Sequence, residues 1–199
     1  MTDTESSISK YINFKPKGTL LFPDDFNHLG TPTAIRKALQ RLREKGLIKH
    51  VTHGIYTRPK ISELIGEVMP TAEEVAQGIA KRDKIKLVPT GSYALNALGL
   101  STQVPLKLVF LTDGAARTIK VGKRTIKLKR TTPKNLMAIG KISALVIQAL
   151  REIGKDKATT TEIGKIVSLL KQEDVKHLEH DISLAPAWIK EIMKQAIKK

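Results

Sequence analysis

The sequence predicts an α+β fold. It has short helices, a tight glycine turn and a small β-hairpin in the first sixty residues, then a mixed α/β part with a basic β-hairpin, then a helical C-terminal part. Three observations predict it: apolar residues recur at helical spacing over 31–45, alternate over 117–130, and return to helical spacing from 133 onward. At 199 residues, 41% of them hydrophobic, the chain can bury a sizeable core. We divide it into 1–60 and 61–199, with the boundary in the segment from Pro59 to Pro70.

Residues 5–13 read as a first helix, with Ile8, Tyr11 and Ile12 on one side; Lys15–Gly18 breaks it and Thr19–Phe22 is extended. A brief helix follows Pro23. Asp24 and Asp25 suit its positive N-terminal end, Phe26 and Leu29 point inward, and Gly30 stops it. Thr31-Pro32 restarts a helix at once, because a Thr N-cap satisfies an orphan amide and Pro at the first helical position presets φ. Ile35, Ala38, Leu39 and Leu42 then share a buried stripe, opposite Thr33, Arg36, Lys37, Gln40, Arg41 and Arg43. Gly46 caps this helix after Lys45. Leu47–Val51, a Thr52-His53-Gly54 tip and Ile55–Arg58 then read as a hairpin ended by Pro59.

Further on, Thr71 and Glu74 make a capping box opening a helix that runs to Arg82, and Lys86–Val88 is a short strand. Thr90-Gly91-Ser92 leads into a short helix ending at Gly99, and Leu106–Leu111 is a nearly continuous apolar strand. Over 117–130, Ile119, Val121, Ile126 and Leu128 take one face and Lys120, Thr125, Lys127 and Lys129 the other, with the turn near Gly122. From Thr132-Pro133 the chain reads as helices over 133–153, over 160–172 behind a second capping box (Thr159, Glu162), and over 186–198. Trp188, Ile189, Ile192 and Met193 stripe the last helix and are expected in the core.

Thirty-five Lys and Arg against 19 Asp and Glu give a formal charge of +16. The excess is spread along the chain, with 11 basic against 5 acidic residues over 1–60, 12 against 6 over 61–130 and 12 against 8 over 131–199. Folded surface, and not just a basic tail, therefore faces the polyanionic partner that such charge implies. The absence of cysteine excludes disulfide scaffolds, thiolate nucleophiles and Cys-ligated zinc. Met1–Ser9 is polar and acidic, unlike a secretory signal, and no apolar run approaches the roughly 18 to 20 residues of a membrane span. With 4% aromatics there is no interfacial amphipathic face either, so we read the chain as cytoplasmic with no membrane partner.

A helix, a glycine turn, a longer helix with a polar-basic outer face and a glycine-tipped hairpin follow one another in the order of a winged helix-turn-helix. In that arrangement the second helix, here Thr31–Lys45, enters the major groove of duplex DNA and the hairpin, the wing, lies against the backbone or minor groove. Thr33, Arg36, Lys37 and Gln40 are expected at base edges, since Arg pairs bidentately with guanine and Gln with adenine. Thr31 and Arg41 on the helix, and Lys49, His50, Thr52, His53 and Arg58 on the wing, complete the expected DNA-binding set. Between Thr31 and Lys60 there are eight Lys or Arg and a single acid, Glu44. The competing reading of the same segment is a solvated basic helix in a winged domain that contacts protein.

The basic hairpin, with Lys120, Lys123, Arg124, Lys127 and Lys129, reads equally as a second nucleic-acid patch or as a solvated sheet face protected by Lys. Val88 to Ser92, a strand then Gly91-Ser92 opening a helix, together with Asp113 after the next strand, resembles the entrance to a nucleotidyltransferase palm. That chemistry needs clustered carboxylates for two metal ions, and Asp113 has no acidic companion two positions away. His177 and His180, three apart, permit a metal but lack a further ligand, so neither a metal nor any other cofactor is expected.

The blocks Thr31-Pro32-Thr33-Ala34-Ile35-Arg36-Lys37-Ala38-Leu39, Gly46-Leu47-Ile48, His53-Gly54-Ile55-Tyr56-Thr57-Arg58-Pro59 and Pro89-Thr90-Gly91-Ser92-Tyr93-Ala94-Leu95-Asn96-Ala97-Leu98-Gly99-Leu100 carry a family likeness. Together they resemble the AbiEi-type antitoxin family, the regulator half of bacterial abortive-infection toxin-antitoxin pairs, over roughly residues 5–130. The resemblance implies an N-terminal winged helix that binds inverted repeats in its own promoter and represses it, at the bacterial nucleoid; an inverted repeat can be filled by a preformed dimer or by a monomer or weak dimer that pairs on DNA. It also implies a C-terminal domain opposing a nucleotidyltransferase-like toxin in a type IV system, and it supplies no catalytic residue.

Overall fold

The computed structural model describes residues 3–197 and is a mixed α+β structure. The chain divides into two compact units, Met1–Gly78 with Lys120–Gly122, and Ile79–Ile119 with Lys123–Lys199.

The first unit opens with α1 (Asp3–Asn13), β1 (Leu20–Leu21) and a 3-10 turn at Pro23–Phe26. The helix expected between Pro23 and Gly30 is thus reduced to this single turn. The Asp25 carboxylate accepts from the Phe22 amide at 2.8 Å, and the chain leaves through turn bonds such as Leu29 N–H to Phe26 C=O at 2.8 Å. Next comes α2 (Pro32–Glu44), whose Thr31 Oγ1 accepts from the Ala34 amide at 3.3 Å. Its C-terminus closes in a left-handed turn at Gly46 (φ 73°): the Gly46 amide donates to Arg43 C=O at 2.9 Å and the Leu47 amide to Leu42 C=O at 3.0 Å.

β2 (Lys49–Thr52) and β3 (Ile55–Thr57) form the hairpin, turning at Gly54 (φ 66°) with an irregularity between His50 and Thr52. β3 also pairs with β1, giving the strand order β1-β3-β2. Ile8, Ile12, Leu21, Phe26, Ile35, Ala38, Leu39, Leu42 and Ile48 fill the core beneath. Each large one contributes roughly 1.5 to 3 kcal/mol by leaving water, which outweighs the propensity of such short helices. The Pro59–Pro70 segment is not bare linker: β4 (Lys60–Ser62) pairs antiparallel with β5 (Gly66–Val68). Helix α3 (Ala72–Asp83) follows, with Thr71 and Glu74 exchanging the capping bonds expected of them.

The second unit is built on a four-stranded sheet. β6 (Leu87–Thr90) runs antiparallel to β7 (Lys107–Thr112), and β7 runs parallel to β9 (Arg124–Arg130). With β8 (Arg117–Val121) the order is β6-β7-β9-β8, so β9 is an interior strand. Helix α4 (Ser92–Ala97) lies between β6 and β7 in sequence.

The helix expected over 133–153 is broken into a 3-10 turn at Pro133–Leu136 and α5 (Lys141–Ile153). The break has a physical cause. The amides of Ile139 and Gly140 donate to the Asp181 carboxylate, both at 2.9 Å, and those of Ile142 and Ser143 to Glu173, so a fresh helix N-terminus is capped there from a distance. α6 (Thr160–Leu170) begins at the expected Thr159–Glu162 capping box. α7 (Val175–Leu184), which periodicity did not single out, is N-capped by Asp174, and α8 (Ala187–Lys194) follows. The expected ends of the polar start, Met1, and of the last helix, Lys198, lie outside the described residues. Ile189 and Met193 are buried with Val146, Leu150, Ile166 and Leu178, and half-buried Trp188 packs on that cluster as the stripe predicted.

Candidate nucleic-acid interface

At 3.6 residues per turn, α2 sorts its side chains into sectors around the axis. Ile35, Ala38, Leu39 and Leu42 are buried. Diametrically opposite stand Thr33, Lys37, Gln40 and Glu44, all exposed, with Gln40 Nε2 donating to Glu44 Oε1 at 3.0 Å. One flank carries Arg41 and, just past the helix, Lys45. Both reach the buried carboxylate of Glu5 on α1, at 3.4 and 2.6 Å. The Lys45 hydrogen bond, helped by Arg41, holds Glu5 below the usual glutamate range against the opposing effect of burial. Arg41 is therefore engaged in joining two helices, while Thr31 is exposed and spends its hydroxyl on the cap.

The other flank carries Arg36 and Arg43, which share a cleft of about 570 Å³ with His50 and His53 of the hairpin; Asp24, Asn27 and Tyr56 are among the other residues that line it. Among the described residues neither arginine has a hydrogen-bond or ion-pair partner, and Lys37 has none either. Sequence reasoning placed Arg43 on the polar face but not among the DNA contacts. Its position seven residues after Arg36, two turns on, was the available signal.

The hairpin residues expected to meet DNA differ in how they are held. Lys49 pairs with Glu67 on β5 at 3.0 Å, with both side chains about two-fifths exposed. His50 meets Tyr56 edge to face at 5.6 Å between centroids. Thr52 is half-buried in β2, and His53 is exposed at the tip. Arg58 is half-buried and its guanidinium donates to the Lys15 carbonyl, so it ties the end of β3 to the segment after α1.

Elsewhere, the register Lys107↔Thr125, Val109↔Lys127 and Leu111↔Lys129 puts Lys127 and Lys129 on one face of the sheet with Lys107, while Leu108, Phe110, Ile126 and Leu128 are buried on the other. Lys120 and Lys123 are exposed and Arg124 is half-buried. Arg117 is not available: it joins Arg82 on Asp83, and the Arg82 hydrogen bond, with Arg117, keeps that carboxyl below its ordinary range.

The Gly91-Ser92 turn opens a helix of only six residues, and Asp113 accepts from the Lys86 amide at 2.9 Å, bracing the ends of β6 and β7. His180 Nδ1 lies 2.8 Å from Asp181, whereas His177 is exposed at the start of α7. Among the described residues no group of three His, Asp or Glu gathers in a metal-holding arrangement, and no helix is long and apolar enough to cross a membrane.

The chain belongs to the family described as "Family of unknown function (DUF6088)", whose model matches residues 7–178. No curated protein matches it. Among solved structures it is similar to the RV2827C protein from Mycobacterium tuberculosis, at 12% identity and a TM-score of 0.46, over 98% of this chain and 82% of that one.

Proposed function

We propose that the first unit is a winged helix-turn-helix that reads duplex DNA, with α2 as recognition helix and the β2–β3 hairpin as wing, and that the chain represses its own operon. The observation that carries this reading is the division of labour on α2. The cations on one flank are consumed by Glu5, while Arg36, Lys37 and Arg43 stand without an internal partner beside an exposed hairpin. Arg36 and Arg43, left unpaired on a rigid element, suit a phosphate backbone, and Thr33, Lys37 and Gln40, opposite the buried stripe, suit base edges. Footprinting of the region upstream of its own reading frame tests this. Two protected half-sites about one helical turn (34 to 36 Å) apart are expected, whereas uniform cleavage along the region contradicts the reading.

The likeness of the "GIYTRP" and "PTGSYALNALGL" blocks to AbiEi-type antitoxins supports a second role, opposition to a nucleotidyltransferase-like toxin by the second unit, with the whole acting at the bacterial nucleoid. Co-expression with a toxin encoded next to it restores growth if this is right. Growth arrest that persists at saturating expression of the chain contradicts it.

A further inference from the structure

We propose that the cleft between α2 and the β2–β3 hairpin seats a run of phosphodiester backbone, held by Arg36 and Arg43 with His50 and His53, and that the two imidazoles take up protons as it enters. The inference rests on the DNA-binding reading above and identifies the groups that meet the backbone.

The cleft is built for an elongated anion. Arg36 and Arg43 are two helical turns apart, about 10 Å along the axis, longer than a single tetrahedral ion. Its volume of about 570 Å³ likewise exceeds the needs of one phosphate. The charges on its wall are unequal: two arginines from α2 and two imidazoles from the hairpin face one carboxylate, Asp24 from the 3-10 turn, with Tyr56 from β3 as the remaining polar ring. Unlike Arg41, Lys45, Lys49 and Arg58, the two arginines have no bond to give up before binding. An anion beside an imidazole favours its charged form, so a backbone entering this cleft draws protons onto His50 and His53. By the same geometry Arg36 belongs to the backbone set, leaving base reading to Thr33, Lys37 and Gln40.

The test titrates the full chain with a mixed-sequence duplex across a salt series at about pH 6 and about pH 8. The salt slope is expected to be steeper by roughly 1 to 2 at the lower pH, one increment for each imidazolium that neutralises a phosphate. The deciding arm is the His50→Gln/His53→Gln pair, which leaves His28, His177 and His180 in place. It should abolish the difference in slope between the two pH values. In the unmodified chain, the ring signals of His50 and His53 in NMR spectra should move toward the imidazolium position when duplex is added at neutral pH. Arg43→Ala should weaken mixed-sequence and own-upstream duplexes alike, by roughly tenfold. Duplex binding with a pH-independent slope, a difference that survives in the double variant, or unmoved ring signals overturns the cleft assignment and leaves the DNA-binding reading standing. Absence of any duplex binding overturns both.

Discussion

Glu5 on α1 and Lys45 at the end of α2, forty residues apart, form a 2.6 Å ion pair in which the carboxylate is only 2% exposed. With Arg41 as second donor, this carboxylate ties α1 to the C-terminal end of α2, the helix whose outer face carries Thr33, Lys37 and Gln40.

The pair has a definite pH signature. The folded-state pKa of Glu5 is depressed, first by the Lys45 hydrogen bond, so its stabilisation is fully present above the unfolded-state glutamate value. That stabilisation is lost as pH falls through the folded value. Glu5→Gln should therefore lower the thermal midpoint at neutral pH and flatten its acid-side fall. A thermal scan series in which variant and parent lose stability in parallel contradicts this.

In the second unit Asp181 is fully buried. It accepts from the Ile139 and Gly140 amides, from Ser143 Oγ at 2.5 Å and from His180. Burial pushes its pKa up, but the hydrogen bonds from Ser143, His180 and the two amides outweigh it, and the carboxyl titrates below its ordinary range. Asp181→Ala leaves donors at the N-terminus of α5 unpaired and should cost roughly 2 to 4 kcal/mol of unfolding free energy by urea titration. A loss within the ±0.5 kcal/mol of surface changes would show that water replaces the carboxylate freely.

Gly140 belongs to the same cap. A Cβ added there would stand 2.6 Å from Glu173 Oε2 and closer still to Ser143 Oγ, although the backbone φ of −76° suits any residue. Gly140→Ala should accordingly destabilise by roughly 1 to 3 kcal/mol, the range of overpacking, where an ordinary Gly-to-Ala change at an open site stabilises. A rise in the denaturation midpoint would contradict it.

On the β2–β3 hairpin, Lys49 is held by Glu67 across an exposed pair. Under the proposed DNA-binding role, Glu67→Gln frees a cation on the hairpin and removes a charge that repels phosphate, so affinity for all duplexes should rise several-fold with the salt slope steeper by about 1. Gln40→Ala should act differently, reducing discrimination at a single base pair by about 1 to 3 kcal/mol while leaving mixed-sequence binding little changed. Identical profiles for the two variants in a base-substitution series would mean that α2 is docked differently.

Local signals in the sequence located α2, since Thr31-Pro32 and Gly46 each act within one turn of the helix end that they fix. The hairpin tip at Gly54 and the Thr159–Glu162 box were legible for the same reason. What escaped depends on partners far away in sequence. The break before α5 is made by carboxylates some thirty to forty residues downstream. The commitment of Arg41 to Glu5 needs the packing of α1, and the gathering of Arg36 and Arg43 with His50 and His53 needs the hairpin folded back beside α2. Periodicity gives the face of a helix but not what stands opposite it.

Sequence reading by α2, as proposed, is decided by a ratio of affinities. Binding of the full chain to the duplex upstream of its own reading frame is compared with binding to a scrambled duplex of equal length, at matched salt. Preference for the upstream duplex by a factor of about 1,000 or more, falling when Gln40 is replaced by Ala, is the predicted result. Equal affinity for the two duplexes across the salt series would contradict it.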